Sequence, residues 1–398
     1  MRVNLGRYYT SSNISQLLVS QMETSKALNI LDLGCGIKCL SKAASSRWSK
    51  AEIFTLDIDN IPPDDFLIKN NKHIISDALH LDLPRTLGLS EGVIDIAVCN
   101  PPFLKPKWRD EYKDIVKSIG IDKYFSITSC YNSEILFLAQ IIRMLKSGGE
   151  AGVILPDRIF SSKRFREFRQ YLIVEHNIKK VIELPSKIFN RTEAKTHILI
   201  FNKERINSSS NPIELRQLLG SGKLSSPVFI DKFIGIERLD YSYHTIKSNS
   251  DNDGIFLNSI IKITRGRLNS KEVKKLQKPT IHITDINSFD YKYTLQGDKD
   301  LLNLNNSRYI IAEPGDILMA RVGRNFYKKI VLVSKGYAIA SDCLFIIKCS
   351  KKYRYSLFKY LTSPKGQKYL IALSYGVTVK QISMDMIKNM RWNVDDEK

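Results

Sequence analysis

Short apolar runs alternate with amphipathic stretches along the first half of the chain. Leu28 to Leu33, Ile53 to Ile58, His73 to Ser76, Ile94 to Cys99, Ala151 to Leu155, Ile178 to Leu184 and Thr196 to Phe201 read as strands. Between several of them lie helical patterns. Over Ser133 to Leu145, the residues Ile135, Leu136, Leu138, Ala139, Ile142, Met144 and Leu145 cover one face and its flank, and Lys146-Ser147-Gly148-Gly149 adds a basic last turn and a glycine stop. Strands that alternate with helices predict an α/β domain with a mostly parallel sheet covered on both sides. The polar run from Ile206 to Pro212 cannot pack a core, so a first domain over 1–205 is expected, then a connector over 206–236. Beyond it the pattern changes to short β-rich segments with glycine turns, at Thr264-Arg265-Gly266-Arg267, Pro314-Gly315-Asp316 and Gly323-Arg324, followed by a helical stretch near Tyr355 to Leu361. A second, β-rich α+β domain is therefore expected over 237–398. No repeat of fixed period is evident, which argues against a solenoid.

With 398 residues and 43% apolar content, the chain can bury at least one full core and has room for a second. Charge adds a partner class: 61 Lys+Arg against 41 Asp+Glu leaves +20 and a pI near 9.5, which favours a polyanion through steering and counterion release. A merely basic, self-repelling surface is the plainer alternative. Cysteines at 35, 39, 99, 130, 343 and 349 make no disulfide ladder, and Cys35-x3-Cys39 lacks a second Cys/His pair at zinc spacing, so free intracellular thiols and no metal are expected. Neither a signal peptide at Met1 to Gly6 nor a span of roughly twenty apolar residues is evident, so a cytoplasmic protein is expected, without a membrane partner.

The candidate chemistry begins at Asp32-Leu33-Gly34-Cys35-Gly36, where Gly34 and Gly36 after an apolar strand let the backbone turn tightly against a ligand. A Gly-x-Gly turn by itself is weak evidence. Asp57, ending the next strand about twenty residues on, can accept hydrogen bonds from ribose hydroxyls, and Asp77, after a third strand, can accept one from an adenine amino group. Gly36 is followed by Ile37-Lys38-Cys39 with no third glycine, so a pyrophosphate-binding turn is poorly supported. S-adenosylmethionine, which has no phosphate to cradle, fits better than a nicotinamide dinucleotide.

The reacting half is Asn100-Pro101-Pro102-Phe103, which closes the strand Ile94 to Cys99. An exocyclic amine on adenine is a poor nucleophile because its lone pair is delocalised into the ring. The Asn100 side-chain oxygen and the Pro101 carbonyl can accept both amino hydrogens and favour a pyramidal nitrogen. Pro101 and Pro102 fix φ near −65° and hold these acceptors in place beforehand. Phe103 offers a π face to an extruded base, worth roughly 1 to 3 kcal/mol by analogy with single-strand binders. Cytosine C5 methylation is disfavoured because it needs a Pro-Cys nucleophile, and Cys99 lies inside the apolar strand. Pro156-Asp157 with Glu193-Ala194-Lys195 mimics a nuclease signature, but both segments fall within elements that the methyl-transfer reading already uses.

On these motifs, residues 1 to about 203 resemble the catalytic domain of gamma-class DNA adenine-N6 methyltransferases, including type I modification subunits. Gly6-Arg7-Tyr8-Tyr9-Thr10 is similar to the family's N-terminal cofactor motif, Asp32 to Gly36 to motif I, Asp57 to the ribose-binding acid, Asp77-Ala78-Leu79 to the adenine-side acid with its hydrophobic neighbour, and Asn100 to Phe103 to motif IV. The resemblance implies a Rossmann-like, seven-stranded methyltransferase sheet. It also implies that Thr10 contacts the methionine part of S-adenosylmethionine and that Asp32, Ala78 and Asn100 belong to the cofactor site. Phe189, in Ile188-Phe189-Asn190, falls where the family places a second aromatic against the flipped base. Lys38 near the place of the missing glycine is a departure from the pattern.

Amino-methylating enzymes with this tetrapeptide also act on rRNA guanine and on protein glutamine. The second half discriminates among them: Arg238 to Tyr243, Ile260 to Gly266, Gly315 to Gly323, Ala340-Ser341-Asp342 and Ser374-Tyr375-Gly376 to Ile382 resemble, in order, one target-recognition domain of type I specificity subunits. Duplex DNA is then the implied partner, with a homodimer or a restriction-system subunit as a further one. Arg265, Arg267, Arg321, Arg324, Asn325, Lys328, Lys329 and Lys380 lie on or near expected loops and are candidates for phosphate and base-edge contacts. The expected function is N6-adenine methylation of a flipped base in duplex DNA, within restriction-modification or a related system. An rRNA amino-group methyltransferase and a catalytically silent recognition partner are the alternatives.

Overall fold

In this computed structural model the described residues are 10–59, 68–126, 132–186, 188–189, 195–205, 212–250, 254–375 and 379–393. Gly6 to Tyr9, Cys130, Asn190, Glu193-Ala194, Ile206 to Asn211 and Gly376, all singled out above, lie outside them. The chain divides into two compact units, Met1–Tyr241 and Ser242–Lys398.

The first unit is built on β1 (Asn29–Leu33), β2 (Glu52–Asp57), β3 (Asn71–Ile75), β4 (Ile94–Cys99), β5 (Leu145–Pro156), β6 (Asn177–Glu183), β7 (Thr196–Asn202), β8 (Ile213–Gln217) and β9 (Val228–Ile230). All seven apolar runs of the first half are strands, joined in the order β3-β2-β1-β4-β5-β7-β6-β8-β9. β1 to β5 are parallel, and β7 is antiparallel to both β5 and β6. Alternation along the central strands supplies a core on each face. Leu31, Leu33, Ala97 and Cys99 pack on one side, while Ile30, Ile96 and Val98 pack on the other. Every residue of β4 is buried, so Asn100 leaves the sheet from its centre.

Two expectations need correction. The sheet has nine strands rather than seven, because the stretch read as a connector over 206–236 supplies β8, which pairs in parallel with β6, and β9, which closes the edge antiparallel to β8. Ile213 and Leu215 are buried against the core by that pairing, which a short, half-polar run does not advertise. Lys146 to Gly149 is not a helix stop. The helix Ser133–Met144 passes directly into β5, where Lys146, Ser147 and Gly148 follow the buried Leu145 and are exposed, with Gly148 at φ +74°.

The second unit has a five-stranded sheet in the order Ile261–Arg265, Leu344–Cys349, Ile317–Ala320, Ile330–Lys335, Asp290–Thr294. A smaller sheet joins Thr280–Ile281, Ala338–Ala340 and Ile311–Ala312, and Ile255–Phe256 pairs with Arg391–Trp392. The helix expected near Tyr355 to Leu361 spans Lys351–Thr362. A second helix, Pro364–Leu373, follows at once, begun by the Ser363 hydroxyl accepting the Gly366 N–H and by Pro364 at its first position. Among the described residues no helix is long and apolar enough to cross a membrane.

Candidate active site

Three successive strand ends, β1, β2 and β4, together with the segment after β3, open onto one cavity of about 230 Å³. Thr10, Gly34, Gly36, Asp57, Asp77, Ala78, Asn100 and Pro102 all line it. The glycine turn is closed by the N–H groups of Gly34 and Cys35, which donate to the Leu56 carbonyl at 2.7 and 3.1 Å. Gly34 and Gly36 have φ of +67° and +50°, a left-handed conformation that glycine adopts without a Cβ penalty. Lys38, near the place of the missing third glycine, has φ +61° and donates its N–H to the Cys35 carbonyl at 2.8 Å. The turn is therefore completed by a left-handed lysine, at an expected cost of about 1–2 kcal/mol.

Asp57 joins this turn to its own strand end: one oxygen accepts the Gly36 N–H at 2.8 Å, the other the Asp59 N–H at 3.0 Å. Its carboxylate is thus held at the cavity wall by two backbone donors. Asp77 accepts the Leu79 N–H at 2.9 Å through one oxygen and Arg109 Nη2 at 2.9 Å through the other. Arg109 also lines the cavity. It donates to the Leu79 carbonyl at 3.2 Å and through Nε to Tyr112 Oη at 2.9 Å. The sequence offered no signal for this residue, since a lone arginine in a polar loop is ordinary.

Asp32 sits elsewhere than expected. It is fully buried behind the turn, does not line the cavity, and hydrogen-bonds Ser41 at the start of the helix Cys39–Arg47. Burial pushes its carboxyl up to about 7, with the nearby Asp57 charge adding to the rise and the Ser41 bond opposing it. Its hydrogen bond ties the end of β1 to the helix that follows the turn.

Asn100 is oriented by Thr10, whose Oγ1 accepts its Nδ2 at 3.0 Å, which leaves Oδ1, a buried atom, as the acceptor of the amide. Thr10 is itself buried. The turn that follows is held by Ser133, the first residue of the helix Ser133–Met144. Its Oγ accepts the Leu104 N–H at 3.2 Å and shares its hydrogen between the carbonyls of Pro102 and Leu104, while its N–H donates to Leu104 O at 3.0 Å. Phe137, one turn further along this helix, also lines the cavity. Sequence reasoning missed both, because an amphipathic helix shows its apolar stripe and not which residue at its start touches a distant turn. Pro101 is buried and does not line the cavity.

The two aromatics behave differently from expectation. Phe103 is half-buried, and Phe189, at 2% exposure, is part of the apolar cluster against which Phe103 packs. Phe189 lies in the core, Phe103 packs against the same cluster while staying partly exposed, and neither lines the cavity. Cys99 is buried with its Sγ against the Leu33 carbonyl at 3.1 Å, and burial pushes its thiol well up, in line with a core residue. Of the nuclease-like pattern, Pro156, Asp157 and Lys195 are described. Lys195 Nζ lies 2.8 Å from Glu183 and 3.6 Å from Asp157 in a buried ionic group that ties the ends of β5, β6 and β7.

In the second unit the basic candidates gather at one end of the five-stranded sheet. Arg265 donates to the Asp342 carbonyl at 2.9 Å and pairs with its carboxylate at 3.0 Å, and Arg321 Nε donates to the same carbonyl at 2.8 Å. The loop after Ile317–Ala320 is bridged to Lys380 by the Gly323 N–H at 2.9 Å. Arg324, Asn325 and Lys328 are exposed there. Arg267 donates to Ser307 O and Lys329 to Ile283 O, so these two cations, like Arg265 and Arg321, are partly committed within the unit.

A family model described as N-6 DNA Methylase matches residues 2–219. The chain is similar to the type II methyltransferase M.BsuBI of Bacillus subtilis, 26% identical over 226 residues covering 50% of this chain and 44% of the relative. It is also similar to the type II methyltransferase M.HincII of Haemophilus influenzae, 25% identical over 311 residues covering 76% of this chain and 57% of the relative. The chain thus spans about half the length of these curated relatives. Among solved structures, the type IIG restriction endonuclease BpuSI aligns with 96% of this chain and 57% of its own, at 13% identity and a TM-score of 0.48.

Proposed function

Because the chain belongs to the N-6 DNA methylase family, we propose that it transfers a methyl group from S-adenosylmethionine to N6 of an adenine flipped out of duplex DNA, within restriction-modification or a related system. The observation that carries this reading is the single cavity into which Asp57, Asp77 and Asn100 all open, with the Asn100 amide already oriented by Thr10. Two carboxylates and an apolar wall that includes Leu79 and Phe137 suit an adenosine carrying a sulfonium, and no nest for a pyrophosphate is called for.

In this reading Asp57 accepts from the ribose hydroxyls. Asp77 shares its outer oxygen between Arg109 and the adenine amino group, Ala78 packs on the ring, and Thr10 lies at the methionine end. When bound, S-adenosylmethionine supplies a methyl on a sulfonium, which passes to N6 as the sulfur leaves as a neutral thioether. Asn100 Oδ1 and the Pro101 carbonyl accept the two amino hydrogens of the target and localise its lone pair. The product nitrogen then loses one proton to solvent, so no buried base is needed before transfer. Phe103 stacks the flipped base, and Phe189 supports Phe103 from the core instead of offering a face of its own.

The first unit is then the methyltransferase and the second the recognition module, with the cluster of Arg265, Arg267, Arg321, Arg324, Asn325, Lys328, Lys329 and Lys380 contacting DNA. A homodimer or a restriction-system subunit would supply a second recognition module. Asn100→Ala is expected to lower transfer from radiolabelled cofactor to duplex DNA by roughly 10²–10³-fold while cofactor binding persists. Near-normal transfer in that variant would falsify the assignment. Parallel arms with rRNA separate RNA methylation, and sequencing of DNA from expressing cells for N6-methyladenine locates the target. Cofactor binding without methylation of any DNA would mark a silent recognition partner.

A further inference from the structure

The stretch from Lys351 to Lys368 contains six Lys or Arg and no acid. None of these residues belongs to the loop cluster described above. In the helix Lys351–Thr362, Leu357, Phe358, Tyr360 and Leu361 are buried, whereas Lys351, Lys352, Tyr355 and Lys359 are exposed and the remaining four residues are half-buried. Lys352, Tyr355 and Lys359 recur at helical spacing on one face.

That face meets a second element. Tyr291, on the edge strand Asp290–Thr294, stands 6.2 Å from the Tyr355 ring in an edge-to-face pair, and the two tyrosines are 51% and 49% exposed. Each ring carries an ammonium: Lys292 Nζ is 5.3 Å from the Tyr291 centroid and Lys359 Nζ is 5.2 Å from that of Tyr355. Such contacts hold flexible cations at set positions. Asp290 is the acid nearest in sequence, and its carboxylate accepts the Lys292 backbone N–H at 2.8 Å. Register places the patch beside the recognition loops: Asp290 pairs with Val331, one residue past the start of Ile330–Lys335, the strand into which the loop bearing Arg324, Asn325 and Lys328 leads.

From these observations we propose that the Tyr291–Tyr355 pair with Lys292, Lys352 and Lys359 is a phosphate-contacting surface for duplex DNA flanking the target site, separate from the loops that read it. Two phenolic hydroxyls and three ammonium groups, that of Lys352 standing 5.2 Å from the Tyr353 ring centroid, donate to phosphate oxygens but offer no forked or amide group to a base edge. The surface therefore adds affinity without sequence information. The inference rests on the DNA-methylation reading.

The test is binding of the full chain to duplexes with and without the methylated site, over a salt series. In Lys352→Gln/Lys359→Gln the slope of log Kd against log[salt] is expected to shrink by about 2, with Kd weakened roughly tenfold to a hundredfold near 0.1 M salt. The same factor is expected for both duplexes, because only phosphates are lost. Tyr291→Ala/Tyr355→Ala weakens both alike, and Lys352→Arg/Lys359→Arg, which keeps the charges, retains the parental slope and reports on folding. Cofactor affinity is unchanged throughout. An unchanged slope and Kd in the glutamine variant overturns this surface and leaves the DNA-methylation reading standing, as does a loss confined to binding of a protein partner. A parental chain that binds no DNA overturns the reading and the surface together.

Discussion

Replacing Ser133 with Ala is expected to slow methyl transfer far more than it destabilises the fold. The hydroxyl is 1% exposed, so water cannot take over its bonds to the Leu104 N–H at 3.2 Å and to the carbonyls of Pro102 and Leu104. Two such bonds, each worth a net 0.5–1.5 kcal/mol, set the loss at about 1–3 kcal/mol. For a unit of this size each kcal/mol lowers Tm by roughly 2–4 °C, so a melt should show a fall of about 2–12 °C. The backbone bond from the residue 133 N–H to Leu104 O survives the substitution, and the helix still starts at the same place. What is lost is the grip on the far side of the Asn100 to Leu104 turn. A displacement near 1 Å at a reacting centre can reduce rate by about 10²-fold. Single-turnover transfer to duplex DNA should therefore drop by that order, with cofactor Kd from calorimetry changing much less. A rate within about twofold of the parent, alongside the expected Tm loss, would refute the argument and show that the prolines hold the turn alone.

Other outcomes follow from the same geometry. Gly34→Ala forces an L side chain into φ +67° and sets its Cβ 3.1 Å from Phe137 Cε1, whereas Gly88→Ala meets the same φ with nothing within 4 Å. Both should lose about 1–2 kcal/mol of stability in melts, but only Gly34→Ala should weaken cofactor binding in titrations; equal losses of affinity would show that the Phe137 contact is irrelevant. Glu134 is buried beside Arg158 at 2.5 Å, and burial still raises its carboxyl from 4.5 to about 7, since Arg158 is itself partly exposed. Because the folded pKa is the higher one, this group's contribution is fully present below about pH 4.5 and is lost as pH rises through about 7. Glu134→Gln should thus gain on the parent between about pH 5.5 and about pH 8.5, by an amount on the order of 2 kcal/mol in urea unfolding, and a constant difference across that range would sink the idea.

Much of the first unit is legible in local pattern. The seven apolar runs end where the strands end to within a few residues, and Asp57, Asp77 and Asn100 converge because each follows a strand of the same parallel sheet. Asp32 shows where that logic stops. A carboxylate at the end of β1 reads like those after β2 and β3, yet it turns inward onto Ser41 and lies beneath the turn. Phe189 is the aromatic counterpart, placed by motif resemblance beside the base and by packing inside the core. Arg109 closing on Asp77, and Ser133 gripping the catalytic turn, join residues about thirty positions apart.

Strand identity, the glycine turn and the proline-stiffened acceptor turn are set by periodicity and by the φ preferences of glycine and proline, which act over a few residues. The order of the sheet, its extension through β8 and β9, the burial of Asp32 and the meeting of Tyr291 with Tyr355 depend on which distant surfaces pack together. Those outcomes belong to tertiary structure because desolvation and side-chain contact are properties of the assembled core, and a short window of residues contains only one side of each contact.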